Sequence, residues 1–232
     1  MAKAELTVLT NVISGSAGNV TFVEGKEGTI IRSRTRPKNP STPAQQAVRA
    51  AFTKCTRMWS GFTTAQIQEW EKWAGKTPEH DEVTGKSFKS SGFNGFVRLA
   101  AKFLQVNPSG TVPSTPPSAP FGGDVVQFTV TTSTGKMTFT ADKANASGVT
   151  TELLIQPLVN KNRKPGKAYK SAGFFTFTSG TLSKDILIPP GWYAAAYRFV
   201  QSATGQDTQI QTLTVHQVTL AVEQGGSQKK AA

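Results

Sequence analysis

A single cysteine in 232 residues, Cys55, excludes an intramolecular disulfide framework and leaves the redox compartment open. Histidine is nearly as scarce: His80 and His216 stand far apart, too few to assemble a histidine-based metal or catalytic centre between them. No run approaches about 18 consecutive apolar residues, which excludes a membrane-spanning helix, and Met1-Ala2-Lys3-Ala4-Glu5 lacks the apolar core of a signal peptide. The expectation is synthesis in a cytoplasm, without Sec-type export and without a membrane partner. Acidic residues are also few, 14 against 26 Lys and Arg, so the formal charge is +12. The excess is diffuse, +7 over residues 1–106 (15 basic, 8 acidic) and +5 over 107–232 (11 basic, 6 acidic). A field of this kind attracts polyanions of any class: nucleic acid, membrane surface or an acidic protein shell.

Motifs that would signal catalysis are missing too. There is no Gly-rich phosphate cradle ahead of a helix, no nucleophile elbow and no paired Cys. Gly15-Ser16-Ala17-Gly18 opens a strand, where a phosphate loop would open a helix. Glu79-His80-Asp81-Glu82 sits on a loop at adjacent positions that lack the spacing of metal motifs. The chain is therefore expected not to be an enzyme, with no catalytic, cofactor-binding or metal residues and no cofactor.

What is present changes character near residue 107. Before it, β-branched residues of 12–24 and 29–35 flank Gly25-Lys26-Glu27-Gly28, the pattern of a β-hairpin. Pro37, Pro40 and Pro43 then bias Arg36 to Ser41 toward an outstretched arm. Thr42-Pro43-Ala44-Gln45 reads as a capping box opening a helix with Val48, Ala51, Phe52, Cys55 and Trp59 on its buried stripe. Thr63-Thr64-Ala65-Gln66 repeats the box for a second helix, with Ile67, Trp70, Trp73 and Ala74 inward. Phe93, Phe96, Val97, Ala100, Phe103 and Leu104 mark a third, closed by Asn107-Pro108.

Residues 107–121 carry Pro108, Pro113, Pro116, Pro117 and Pro120, the composition of a semi-rigid linker that holds two halves apart. Beyond it, alternating runs predict strands near 125–132, 136–141, 150–158, 173–178, 181–188, 191–202 and 208–221, which fit a β-sandwich. The run Trp192 to Val200 has the alternation of a central strand with one face buried. The fold class expected is an α+β N-terminal module over 1–106, a hairpin plus about three short helices, followed by an all-β sandwich over 122–222 and a polar tail over 223–232.

Two basic clusters stand out. Lys161, Arg163, Lys164, Lys167 and Lys170 surround Pro165-Gly166 and read as a solvated loop. Arg32, Arg34, Arg36 and Lys38 lie on one extended segment and, together with Trp73, are the candidate partner-binding residues, because guanidinium groups and an aromatic ring are the anchors that subunit contacts use.

Pro189-Pro190-Gly191-Trp192-Tyr193, followed by Tyr197 to Gly205, resembles the penultimate strand and hairpin of fibronectin type III and related immunoglobulin-like domains. The likeness implies adhesion or spacing and no chemistry of its own. The N-terminal part resembles a segment recurrent in structural proteins of tailed bacteriophages and prophages. The matching residues are Gly15 to Val20, Arg32-Ser33-Arg34, Asn39-Pro40-Ser41-Thr42-Pro43-Ala44-Gln45-Gln46, Trp59, Thr63 to Trp70, and Gly92 to Arg98. At the hairpin tip Glu24-Gly25-Lys26-Glu27 departs from the basic run of that family.

This resemblance implies a virion component, a capsid-decorating or minor head protein or a head-to-tail neck protein. Its expected partners are capsid, portal or neck subunits, in copies set by particle symmetry. Two other readings stay open: a nucleic-acid-binding protein that uses Arg32 to Lys38 on phosphates, and a host-surface adhesin of the virion.

Overall fold

The structure is a computed structural model that describes residues 2–4, 14–25, 28–35, 39–77, 79–80, 87–166 and 168–219. The chain divides into two units, Met1–Gln46 and Ala47–Ala232. Of the expected features, Arg36, Pro37, Lys38, Asp81, Glu82, Lys167 and the tail 223–232 lie outside the described residues.

The first unit is a four-stranded antiparallel sheet of β1 (Ala2–Ala4), β2 (Gly15–Ala17), β3 (Val20–Gly25) and β4 (Gly28–Ser33), in the order β1-β4-β3-β2. The expected hairpin is there as β3 and β4, paired from Val20↔Ser33 to Gly25↔Gly28. The single strand expected over 12–24 is not: the chain reverses at Gly18-Asn19 and β2 pairs back on β3 from Ala17↔Val20 to Gly15↔Phe22. Gly18 has φ +57°, the left-handed backbone that a two-residue hairpin turn needs and that glycine adopts without a Cβ penalty. The pairing of β1 on the far side of β4, with Ala2 opposite Ile31, was carried by no local signal.

α1 (Pro43–Ser60) opens on the expected capping box: the Gln45 amide donates to Thr42 Oγ1 at 3.3 Å and the Thr42 amide to Gln45 Oε1 at 3.2 Å. α2 (Thr64–Lys76) repeats it through Thr63 and Gln66. A two-residue ladder of β5 (Glu79–His80) and β6 (Ser87–Phe88) precedes α3 (Gly92–Val106), capped by Ser91. Cys55, Trp70, Phe96, Leu99, Ala100, Phe103 and Leu104 form the helical core. Cys55 is fully buried, and burial pushes its thiol pKa up, so it acts as a small apolar residue. α2 and α3 touch at two glycines. A Cβ on Gly92 would stand 2.7 Å from the Glu71 amide nitrogen, and one on Gly95 2.8 Å from the Trp73 ring.

The buried stripe expected along α1 is corrected in its first half. Val48 is 66% and Phe52 50% exposed, whereas Cys55 is buried and Ala51, Met58 and Trp59 are half-buried against the core. At 18 residues, or about 27 Å, α1 is longer than α2 or α3, and its apolar face carries on past the shared core. Among the described residues no helix is long and apolar enough to cross a membrane.

Seven strands follow: β7 (Phe128–Ser133), β8 (Lys136–Ala141), β9 (Val149–Leu158), β10 (Lys170–Phe175), β11 (Ser183–Leu187), β12 (Gly191–Gln201) and β13 (Gln211–Val218). They make two antiparallel sheets, β10-β9-β12-β13 and β11-β8-β7. Val126, Met137 and Phe139 from one side, and Leu153, Tyr197, Phe199 and Val218 from the other, share a single core, which makes this part a β-sandwich. Tyr193, at the start of β12, donates its hydroxyl to the Pro189 carbonyl at 2.8 Å.

β12 is buried on both faces from Tyr193 through Tyr197, not on one. Ala194 lies between Gln156 and Val215, and Ala196 between Leu154 and Thr212, so longer neighbours on β9 and β13 stand above short methyl groups.

The Pro-rich stretch does not hold two halves apart. Its Val112 is buried in the helical core and Phe121 packs on the sandwich core. The Ser114 carbonyl accepts from Trp70 Nε1 at 2.9 Å, and the Ala119 carbonyl from Gln206 Nε2 at 3.1 Å. Asn107 Nδ2 donates to the Ser202 carbonyl at 2.8 Å. Proline stiffens a segment but does not decide what it packs on. Here two apolar residues and several free carbonyls tie 107–121 to both neighbours, and the division of the chain falls after Gln46 instead of near 107.

Candidate functional site

Of the expected partner-binding residues, Arg32 and Arg34 are exposed at the end of β4 and just beyond it. The Arg34 amide donates to the Asn19 carbonyl at 2.7 Å, which fixes the backbone where the chain leaves the sheet. Among the described residues neither guanidinium has an acidic partner. Two apart on extended backbone, the two side chains leave the same face. Arg36 and Lys38 lie outside the described residues.

Trp73 is half-buried. Its ring meets Trp70 edge to face, with centroids 5.6 Å apart, and covers Gly95. One side forms the wall of a cleft of about 480 Å³ with Lys76, Thr77, Arg98, Pro117 to Phe121, Gln206 and Asp207. The sequence placed Trp73 as a possible contact residue without seeing this cleft, because the other walls come from the Pro-rich stretch and the hairpin after β12. A tryptophan ring, prolines and a lysine around an open cleft suit an extended peptide more than a small polar ligand. Trp73 belongs to the unit Ala47–Ala232 and the two arginines to Met1–Gln46.

A third cluster was not foreseen. Glu152 on β9 is 2% exposed, and its Oε2 accepts from Arg198 Nε at 2.6 Å and from Lys102 Nζ at 3.0 Å. Arg198 Nη1 also holds Asp207 at 2.8 Å, and Lys102 lies 5.4 Å over the Phe174 ring. Burial alone would raise the Glu152 pKa, but the hydrogen bond from Arg198 and the charge of Lys102 outweigh it and hold the carboxyl below the usual range. The cluster joins α3 to β9 and β12. The signal was legible in principle, since Glu152 is the one acidic residue of β9, beside the apolar run Leu153 to Ile155, and a buried carboxylate requires partners.

Beside it, Gly205 has φ +75°, and a Cβ there would collide with the Leu99 carbonyl oxygen and stand 2.8 Å from the Phe103 nitrogen. Backbone of the sandwich therefore lies directly on backbone of α3. His216 pairs through Nε2 with Thr214 Oγ1 at 2.8 Å, and burial lowers its pKa.

No protein-family model matches the chain. No curated protein matches it either. Among solved structures, the fn3 domain of human contactin 1 is similar to it at 16% identity, over 49% of this chain and 91% of that chain, with a TM-score of 0.31.

Proposed function

We propose that the chain is a non-enzymatic structural protein of a tailed-bacteriophage particle, a capsid-decorating, minor head or head-to-tail neck component, which binds its neighbours through the N-terminal unit. The observation that carries this reading is that residues 1–46 form a unit of their own, with Arg32 and Arg34 exposed and without acidic partners among the described residues. The ordered resemblance of residues 15–98 to phage structural proteins points the same way.

Binding requires no chemistry. β2, exposed at all three residues, is the edge of a four-stranded sheet and can pair with a neighbour's strand, while the arginines reach carboxylates on the same neighbour. Weak contacts of this kind are multiplied when symmetry repeats them over many copies. What is displayed is the unit that begins at Ala47, in which helices and sandwich are joined through Glu152. We read the sandwich as immunoglobulin-like, on the three-plus-four strand order and on the Tyr193 to Pro189 hydrogen bond, which has the form of a tyrosine corner.

Mass spectrometry of purified particles tests the proposal: the chain should be present in many copies, and its absence from particles would end the idea. Contact of the same two arginines with DNA phosphates is the competing reading, favoured by their lack of acidic partners among the described residues. Salt-titrated DNA binding by Arg32→Glu/Arg34→Glu against the natural chain separates the two, since only phosphate contact weakens steeply as salt rises.

A further inference from the structure

The loop between β9 and β10 remains unassigned. From Leu153 to Lys184 the sequence contains Lys161, Arg163, Lys164, Lys167, Lys170 and Lys184 and not one acidic residue. Residues 160–166 are all exposed, and Val159 before them is 89% exposed, so this finger of the chain lies open to solvent. Its first turn is held by Asn160: the Asn162 amide donates to the Asn160 side-chain Oδ1 at 3.1 Å and the Arg163 amide to the Asn160 carbonyl at 3.3 Å. Lys161, Arg163 and Lys164 therefore leave a defined turn.

The rest of the sandwich does not neutralise them. Asp124 holds the Ala146 amide, Asp142 the Gln127 amide, Glu152 Lys102 and Arg198, Asp185 Lys136, and Asp207 Arg198. Every described carboxylate beyond residue 107 is thus engaged away from the finger. Where the loop joins the sheet, next to the pair Lys170↔Ile155, Gln156 Oε1 and Tyr169 Oη are buried and have no hydrogen-bond partner among the described residues.

We infer that this finger, through Lys161, Arg163 and Lys164, is a binding element for double-stranded nucleic acid that contacts the phosphate backbone. Shape and charge select that partner. Residues 160–166 contain no aromatic side chain, so the exposed turn offers no stacking wall for a sugar ring and no platform for an unstacked base. A duplex supplies a groove between two ridges of phosphate, at one negative charge per about 1.7 Å of axis, whereas acidic protein surfaces intersperse both signs. Contacts to phosphate alone carry no sequence information, so binding should be indifferent to base sequence. The inference does not depend on the particle reading.

The test is fluorescence anisotropy of a short labelled DNA duplex titrated with the full chain. Three phosphate contacts weaken binding about 40-fold between 50 and 200 mM salt. Lys161→Glu/Arg163→Glu/Lys164→Glu should lose about tenfold or more in affinity at low salt. Lys143→Glu, an exposed control on the same sandwich, and Arg32→Glu/Arg34→Glu should stay within about threefold of the natural chain. The inference is overturned if the triple variant binds as the natural chain does, if affinity is flat with salt, or if binding follows Arg32 and Arg34 instead. It is equally overturned if poly-glutamate displaces the duplex as well as unlabelled DNA does, since an acidic polypeptide would then be the better-matched class.

Discussion

Two groups of cations in the 47–232 unit are put to opposite uses. Lys102 and Arg198 converge on one buried carboxylate, while Lys161, Arg163 and Lys164 stand on an exposed turn with every described carboxylate of the sandwich occupied elsewhere. The first arrangement fixes α3 on the sandwich; the second leaves charge available for a partner. Identical side-chain chemistry therefore yields stability where it is enclosed and paired, and reach where it is exposed and unpaired.

Substitutions separate the two groups. Glu152→Ala leaves the partly buried Lys102 without its counter-ion and Arg198 with Asp207 alone, and should cost about 3 kcal/mol of unfolding free energy, read from urea denaturation. Close to it, Gly205→Ala should cost about 2–3 kcal/mol, because the new methyl meets α3 backbone and the residue must keep a positive φ. The pH dependence belongs to the enclosed group as well. With the folded pKa of Glu152 held below the usual range, its contribution is complete above that range, roughly pH 4, and is lost as pH falls through the folded value. The stability gap between the natural chain and Glu152→Gln should therefore narrow below about pH 4. Last and smallest, Lys161→Glu/Arg163→Glu/Lys164→Glu should change stability by no more than about 0.5 kcal/mol while altering binding, which sharpens the distinction between holding and reaching.

The sequence made local features legible and missed those that depend on long-range packing. Both Thr-x-x-Gln boxes, the third helix and all seven sandwich strands were readable, because caps, turns and alternation act over a few residues. Gly18-Asn19 carried a turn signal that the β-branched residues around it hid, and β1 had no signal short of its partner Ile31. Composition suggested a spacer at 107–121, yet Val112 and Phe121, apolar residues in a polar stretch, were the clue that it is packed on both sides. The helical period of α1 was also correct, but periodicity cannot say where the neighbouring helices end, and so Val48 and Phe52 were placed inside.

Of the candidate site, Arg32, Arg34 and Trp73 were legible by residue type. The cleft beside Trp73 and the Glu152 cluster were not, since their members lie far apart in the sequence, as with Glu152 and Arg198 or Trp73 and Gln206.

The most direct measurement of function is the copy number of the chain in purified particles, compared among the natural sequence, Arg32→Glu/Arg34→Glu and Lys161→Glu/Arg163→Glu/Lys164→Glu. Anchoring through the N-terminal unit predicts many copies for the natural chain, a loss of about tenfold or more for the arginine variant through lost multivalent contacts, and no change for the loop variant. Particles without the natural chain, or particles that take up the arginine variant as fully as the natural chain, would contradict it.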